Sequence, residues 1–143
     1  MSSPSFQPLV PGAPELPDAP LVLVVDNDAD IGETMAVDLR RSGMRVRTAL
    51  TAEYAVAFCE TQDFDAMVID HPLSGEEGEH LLAEAPDRGT VIVSGSTPPV
   101  PAKVRHRHAR KVFAVKTKPV APSELVQVVR AAVSASRRKR KRR

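Results

Sequence analysis

The sequence predicts an α/β fold: a doubly wound, five-stranded parallel sheet with helices on both faces. Three observations support this. Five short runs of β-branched and aliphatic residues alternate with five segments of helical periodicity. The strongest runs are apolar at every position, as in strands buried between two helix layers. Most of them also stop abruptly at an acid, a hydroxyl or a lysine rather than tapering off.

The first such run is Leu21-Val22-Leu23-Val24-Val25, which ends at Asp26-Asn27-Asp28. Ile31, Met35 and Leu39 then recur every four residues, with Asp38 before the last of them and Arg40 and Arg41 directly after it. This is one amphipathic helix, with Gly43 suited to its C-terminal cap. Arg45–Ala49 alternates and reads as a less buried strand. Thr51 to Gln62 reads as a helix burying Ala55, Val56 and either Cys59 or Phe58. Ala66-Met67-Val68-Ile69 is a third strand ending in Asp70, followed by a short helix from Glu76 to Ala85 that carries Leu81 and Leu82. Thr90–Val93 is the fourth strand, with a turn at Ser94-Gly95-Ser96. Pro101 to Lys111 is a weak, polar helix, and Val112–Val115 is the fifth strand. The last helix, Pro122 to Ala135, turns Leu125, Val128, Val129 and Ala132 inward, and Pro122 sits in its first turn where a missing N–H costs little.

A length of 143 residues suits one domain, and a hydrophobic content of 42% is ordinary for a folded chain. With 3% aromatics and no Trp, the core must be built from aliphatic side chains and Met. No apolar run approaches the roughly 20 residues needed to cross a bilayer, and no secretory signal opens the chain. The single cysteine, Cys59, excludes an internal disulfide, so the expected location is cytoplasmic. Six prolines within residues 1–20 predict a disordered leader, ahead of a domain over 21–135. Seven of the 20 Lys and Arg residues form the run Arg137–Arg143. The other 13 face 18 acids, so the net charge of +2 hides an acidic body and a cationic end. Self-repulsion predicts that residues 136–143 are a disordered basic tail.

Ligands of an open parallel sheet bind beyond the carboxyl ends of its strands. That rim collects Asp26, Asn27, Asp28, Asp70, Ser94, Lys116 and Lys118, a set that no aliphatic core requires. Asp28 and Asp30 are accounted for as helix caps. His71, His80, His106 and His108 lie on different elements and show no metal-ligand spacing. Neither a Walker loop nor a Gly-x-Gly-x-x-Gly motif occurs.

The series Val24-Val25-Asp26-Asn27-Asp28, Asp70-His71-Pro72-Leu73-Ser74-Gly75-Glu76-Glu77-Gly78, Ser94 and Lys118-Pro119 resembles the receiver domain of two-component response regulators, over residues 21–135. The resemblance implies the flavodoxin-like receiver fold, with Asp70 as phosphoacceptor. It implies Mg²⁺ as cofactor, held by Asp26, Asn27, Asp70 and the main-chain carbonyl of Pro72, since a carboxylate can approach a phosphoryl dianion only if charge is compensated by hard-ligand cations. Lys118 would contact the phosphoryl group, and Ser94 would move to hydrogen-bond it. The implied partners are a histidine kinase or phosphotransfer protein, and a downstream protein on the face formed by the fourth helix, fifth strand and fifth helix. Lys103–Lys111 makes that face basic, which suits an acidic partner.

Four positions depart from the family pattern. Asn27 replaces a second acid, which should weaken the metal site. Ser74 replaces a proline. Pro72 cannot help place a hydrolytic water, which predicts slow loss of phosphate. Val115 replaces the switch aromatic, and Phe113 lies two residues away. The expected function is a stand-alone receiver that is not an enzyme and signals by protein contact or phosphorelay. The alternatives are a pseudo-receiver adaptor that never takes phosphate, and a nucleic-acid-associated regulator. In the last, residues 137–143 would make weak contact with nucleic acid or another acidic surface.

Overall fold

The computed structural model describes residues 15–70, 72–73, 75–95 and 99–141. His71, Ser74, Ser96 and the first fourteen residues of the expected leader lie outside the described residues. In chain order the elements are β1 (Leu21–Asp26), α1 (Ala29–Arg41), β2 (Arg45–Ala49), α2 (Ala52–Thr61), β3 (Ala66–Asp70), α3 (Gly75–Glu84), β4 (Thr90–Ser94), α4 (Ala102–Arg107), a 3-10 turn (Ala109–Lys111), β5 (Val112–Thr117) and α5 (Pro122–Lys141). The strands pair in the order β2-β1-β3-β4-β5, all parallel. This is the expected doubly wound sheet.

Alternate residues of each strand enter opposite cores, because successive side chains leave opposite faces of the sheet. Leu23, Val25, Met67, Ile69 and Ile92 pack with Ala55, Val56, Leu81, Leu82 and Val104 of α2, α3 and α4. Val22, Val24, Val68, Val91 and Val93 pack with Ala36, Leu39, Leu125, Val129 and Ala132 of α1 and α5. Phe58 and Cys59 both sit half-buried at the margin of the first core, so α2 commits neither residue fully.

Local rules explain the ends of α1. The Asp28 carboxylate caps it by accepting from the Asp30 and Ile31 amides at 3.0 and 3.1 Å. Gly43, at φ +91°, takes the left-handed conformation that lets the chain turn into β2. The buried stripe of α1 differs from expectation by one position. Gly32, Ala36 and Leu39 face the sheet and Met35 is half-buried, whereas Ile31 is 44% exposed. Two small residues allow the helix to lie closer to the strands than an Ile-Met-Leu stripe would.

Three further departures have clear physical causes. Helix α4 is short because Val104 is its only buried residue, and basic side chains offer the core nothing more. Strand β5 carries a bulge opposite Thr90/Val91, which re-phases its side chains: Phe113 joins the α1/α5 core while Val115 aligns with Ile92. Finally, the expected disordered ends are partly ordered. Helix α5 does not stop at Ala135 but continues through Lys141, with Ser136 buried. Within the expected leader, Ala19 O accepts from the Arg45 guanidinium at 2.9 and 3.1 Å, and Glu15 pairs with Arg47.

The ordered end of α5 traces mainly to one carboxylate. Asp65 is 3% exposed at the foot of β3 and accepts from Leu21 N at 2.9 Å and from Arg137 Nε at 3.1 Å. Arg140 also donates to it. Arg137 reaches Asp18 O as well, at 3.2 Å, which ties the chain before β1 to the end of α5. Repulsion along the basic run is thus offset by an acid that lies 72 residues away from Arg137 in sequence. Burial works to raise the Asp65 pKa, but the Arg137 hydrogen bond, the Leu21 amide and Arg140 outweigh it and hold the group below the usual carboxylate range. A depressed carboxylate stabilises the fold above its unfolded pKa, and that stability is lost as pH falls through the folded value.

Asp65→Asn should therefore release the last turns of α5, lowering the helical far-UV signal and destabilising the fold by about 2 kcal/mol at neutral pH. The difference from the parent should shrink in acid, as followed by thermal melts across a pH series.

Candidate functional site

In this strand order the direction of winding reverses between β1 and β3, and a crevice opens where their carboxyl ends diverge. Asp26 ends β1, Asp70 ends β3, and the two are direct register partners. The sheet itself therefore sets two carboxylates side by side. Helix α1 comes close behind them: a Cβ added to Gly32 would stand 3.4 Å from the Asp26 Cβ. A larger residue there would push against the site.

Asp26 is 3% exposed. Its Oδ1 accepts from Asp28 N at 2.9 Å, while Oδ2 is buried with no hydrogen-bond partner. Burial raises the Asp26 pKa to about 6, and the charge of Asp70 adds to the rise, against the Asp28 amide and Lys118. Lys118 lies just beyond β5, and its Nζ stands 2.9 Å from Asp70 Oδ2. Its backbone amide donates to Ser94 O at 2.8 Å, which fixes the lysine against the end of β4. Ser94 is 8% exposed, and its hydroxyl donates to Gly95 O at 3.2 Å rather than to a carboxylate. Lys116 turns the other way and pairs with Glu124 of α5 at 3.1 Å.

Asp26, Asp70, Ser94 and Lys118 therefore gather on one rim, with Asn27 exposed beside Asp26. Pro72 is exposed just past β3, and Val115, on the face shared with Ile92, is 42% exposed. The histidines do not converge: His80 and His106 are exposed on separate helices, and His108 Nε2 contacts Glu79 Oε2 at 2.6 Å.

An orphaned buried carboxylate oxygen beside a second carboxylate is the donor chemistry of a hard divalent cation. Among the described residues, no group of three or more His, Cys, Asp or Glu could hold a metal. The pair Asp26–Asp70 would need neutral oxygens to complete a shell, which the Asn27 amide and a main-chain carbonyl can supply.

One feature of the site was missed in the sequence. A groove of about 750 Å³ runs from Asp70 and Lys118 between α1 and the start of α5, lined by Ile31, Met35, Val120, Pro122 and Leu125. It accounts for the exposure of Ile31. The only hint in the sequence was an apolar residue in the first turn of α1 that the core did not need.

The response regulator receiver domain family matches this chain over residues 22–130. The chain belongs to that family. No match is found among curated protein sequences. Among solved structures, the receiver matches a CheY-like receiver domain protein from Methanospirillum hungatei JF-1 at a TM-score of 0.69 and 20% identity, covering 85% of this chain and 99% of that one. The chemotaxis response regulator CheY4 of Vibrio cholerae matches at a TM-score of 0.64 and 18% identity, over 80% of this chain and 98% of that one. NtrX from Brucella abortus matches at a TM-score of 0.69 and 24% identity, over 86% of this chain but only 29% of that longer one. At these identities the structural likeness speaks for the fold. Receiver domains are signalling domains of two-component systems rather than classical enzymes, and they typically use Mg²⁺ at their acidic pocket. Among the described residues, no helix is long and apolar enough to cross a membrane.

The raised Asp26 pKa sets a pH dependence. Between about pH 4 and 6 the folded receiver binds more protons at Asp26 than the unfolded chain does, so stability falls as pH rises through that window. Asp26→Asn should remove this slope in the presence of a chelator and raise stability at pH 7 by about 2 kcal/mol. Chemical denaturation at pH 4 and pH 7 reads both effects.

Proposed function

We propose that this receiver accepts a phosphoryl group on Asp70 from a histidine kinase or phosphotransfer protein, in the cytoplasm, and signals by protein contact or phosphorelay. The observation that carries the reading is the Lys118 ammonium 2.9 Å from Asp70, beside the partnerless Oδ2 of Asp26. A carboxylate held between a cation and a second acid is poised to act as an anionic nucleophile.

In the transfer, an Asp70 oxygen attacks phosphorus. The P–O bond of an acyl phosphate forms as the P–N bond of the donor phosphohistidine breaks, and the imidazole nitrogen keeps the electron pair. Lys118 passes from Asp70 to a phosphoryl oxygen, so the charge that holds the free carboxylate becomes the charge that holds the product. Asp26, Asn27, Asp70 and the Pro72 carbonyl would hold Mg²⁺, which supplies charge that offsets repulsion between carboxylate and phosphoryl oxygens. Ser94 exchanges its bond to Gly95 O for one to the phosphoryl group, drawing the end of β4 toward β3. With Val115 in place of an aromatic, that movement has no ring to swing inward, so the signal passes through the β4 end itself. The apolar groove beside Asp70 suits a donor helix that must bring its phosphohistidine to the carboxylate. The exposed basic residues Lys103, Arg107 and Arg110, with Val115, suit an acidic downstream partner.

Incubation with a small phosphodonor and Mg²⁺ should add the mass of one phosphoryl group, and Asp70→Asn should abolish the addition. If the chain stays unmodified at saturating donor, it is instead a pseudo-receiver adaptor. Because Asn27 adds no charge, Asn27→Asp should tighten Mg²⁺ binding by about tenfold, followed by titration of the cation against thermal stability. Equal affinity in the two proteins would place the ion away from residue 27.

A further inference from the structure

The ordered end of α5 presents a surface that the receiver chemistry does not use. Helix α5 is 20 residues long, and after Glu124 it contains no acid. Its inner face is occupied by Leu125, Val129, Ala132, Val133 and Ser136. Asp65 engages Arg137 and Arg140, which fixes the rotation of the final turns. At 100° per residue, Gln127, Arg130, Ala131, Ser134, Arg138 and Lys141 then fall on one outward stripe, and all six are exposed. Three of the six are cations, the other three are small or uncharged, and none is large and apolar.

The stripe reaches past its own helix. Arg130 Nη2 donates to Ser42 O at 3.0 Å, which brings the last turn of α1, ending in the exposed Arg41, alongside it. Arg130 and Lys141 are eleven residues apart, about 16 Å along the axis, and duplex DNA presents roughly one phosphate per 1.7 Å. The stripe can therefore engage several phosphates at once, and Ala131 and Ser134 let the helix come close.

We propose that this outward stripe of α5, continued by Arg41, is a sequence-independent nucleic acid docking surface directed by the Asp65 clamp. Protein hot spots centre on Trp, Tyr and Arg anchors buried in desolvated pockets, and interfacial membrane helices need an apolar face to insert. Among the described residues, the arginines of the stripe are exposed with no aromatic or pocket beside them, and it has no apolar face. Neutralising phosphates and releasing their counterions requires only cations in a row, which is what it offers. The surface lies at the amino-terminal side of the strands, opposite the Asp70 rim, so it works independently of phosphate acceptance.

The test is fluorescence anisotropy of the full chain on a short duplex DNA of mixed sequence, from roughly 50 to 200 mM salt. Four phosphate contacts, from Arg130, Arg138, Lys141 and Arg41, predict a loss of affinity of about 150-fold across that range. Arg138→Gln with Lys141→Gln should reduce the logarithmic slope by about 2, and Arg130→Gln by about 1. Arg130 decides between an ordered stripe and a loose basic end, because it lies seven residues before the basic run. If removal of residues 142–143 abolishes binding while Arg130→Gln leaves it untouched, the stripe is not the surface. Tighter binding to phosphatidylserine vesicles than to the duplex at equal salt would also overturn the proposal. Phosphoryl uptake on Asp70 should be unchanged in every variant, which separates this outcome from that of the receiver chemistry and reports that each variant is folded.

Discussion

The constraint on which the site depends is the parallel pairing of β1 with β3, which makes Asp26 and Asp70 register partners at the edge of the sheet. Two carboxylates placed there repel each other, and one of them is buried. The fold keeps them because the strands behind are apolar at every position and because Lys118 supplies a cation at 2.9 Å. A one-residue slip of β3 would not merely separate the pair. It would turn Met67 and Ile69 into the wrong core, so hydrophobic packing enforces the geometry of the polar site.

A second carboxylate organises the opposite end of the molecule. Asp65 is tolerated at 3% exposure because a main-chain amide and two guanidiniums satisfy it. In return it converts part of a self-repelling basic run into the last turns of α5. The two ends of the sheet thus use the same physics in opposite senses. At the Asp70 rim, anions outnumber their cation and leave room for added positive charge. At the foot, the cations of α5 outnumber the acid that anchors them.

Much of this was legible in the residues. Runs such as Leu21–Val25 and Ala66–Ile69 read as buried parallel strands because they lack any polar face, and the structure places them centrally. Asp26, Asp70, Ser94 and Lys118 were identifiable because each ends or follows a strand, and a parallel sheet collects its strand ends on one rim. Asp28 was readable as a cap from its place before an amphipathic segment. What could not be read were effects that need a partner distant in sequence. The β5 bulge that separates Phe113 from Val115 depends on packing against β4, and the burial of Ala36 in place of Ile31 depends on how close α1 lies to the sheet.

The sequence by itself determined the alternation of strands and helices, the apolar phase of the first four strands, and the residue types waiting at the strand ends, since these follow from local periodicity and side-chain chemistry. Only the tertiary structure decided that α5 runs to Lys141, that Ile31 lines a groove beside Asp70, and that the Asp26 Oδ2 is left without a partner. Charge repulsion within a basic run is a local quantity, whereas its compensation by Asp65 arises only when β3 and α5 are packed together. The order of the C-terminal turns is therefore a property of the fold, not of the segment.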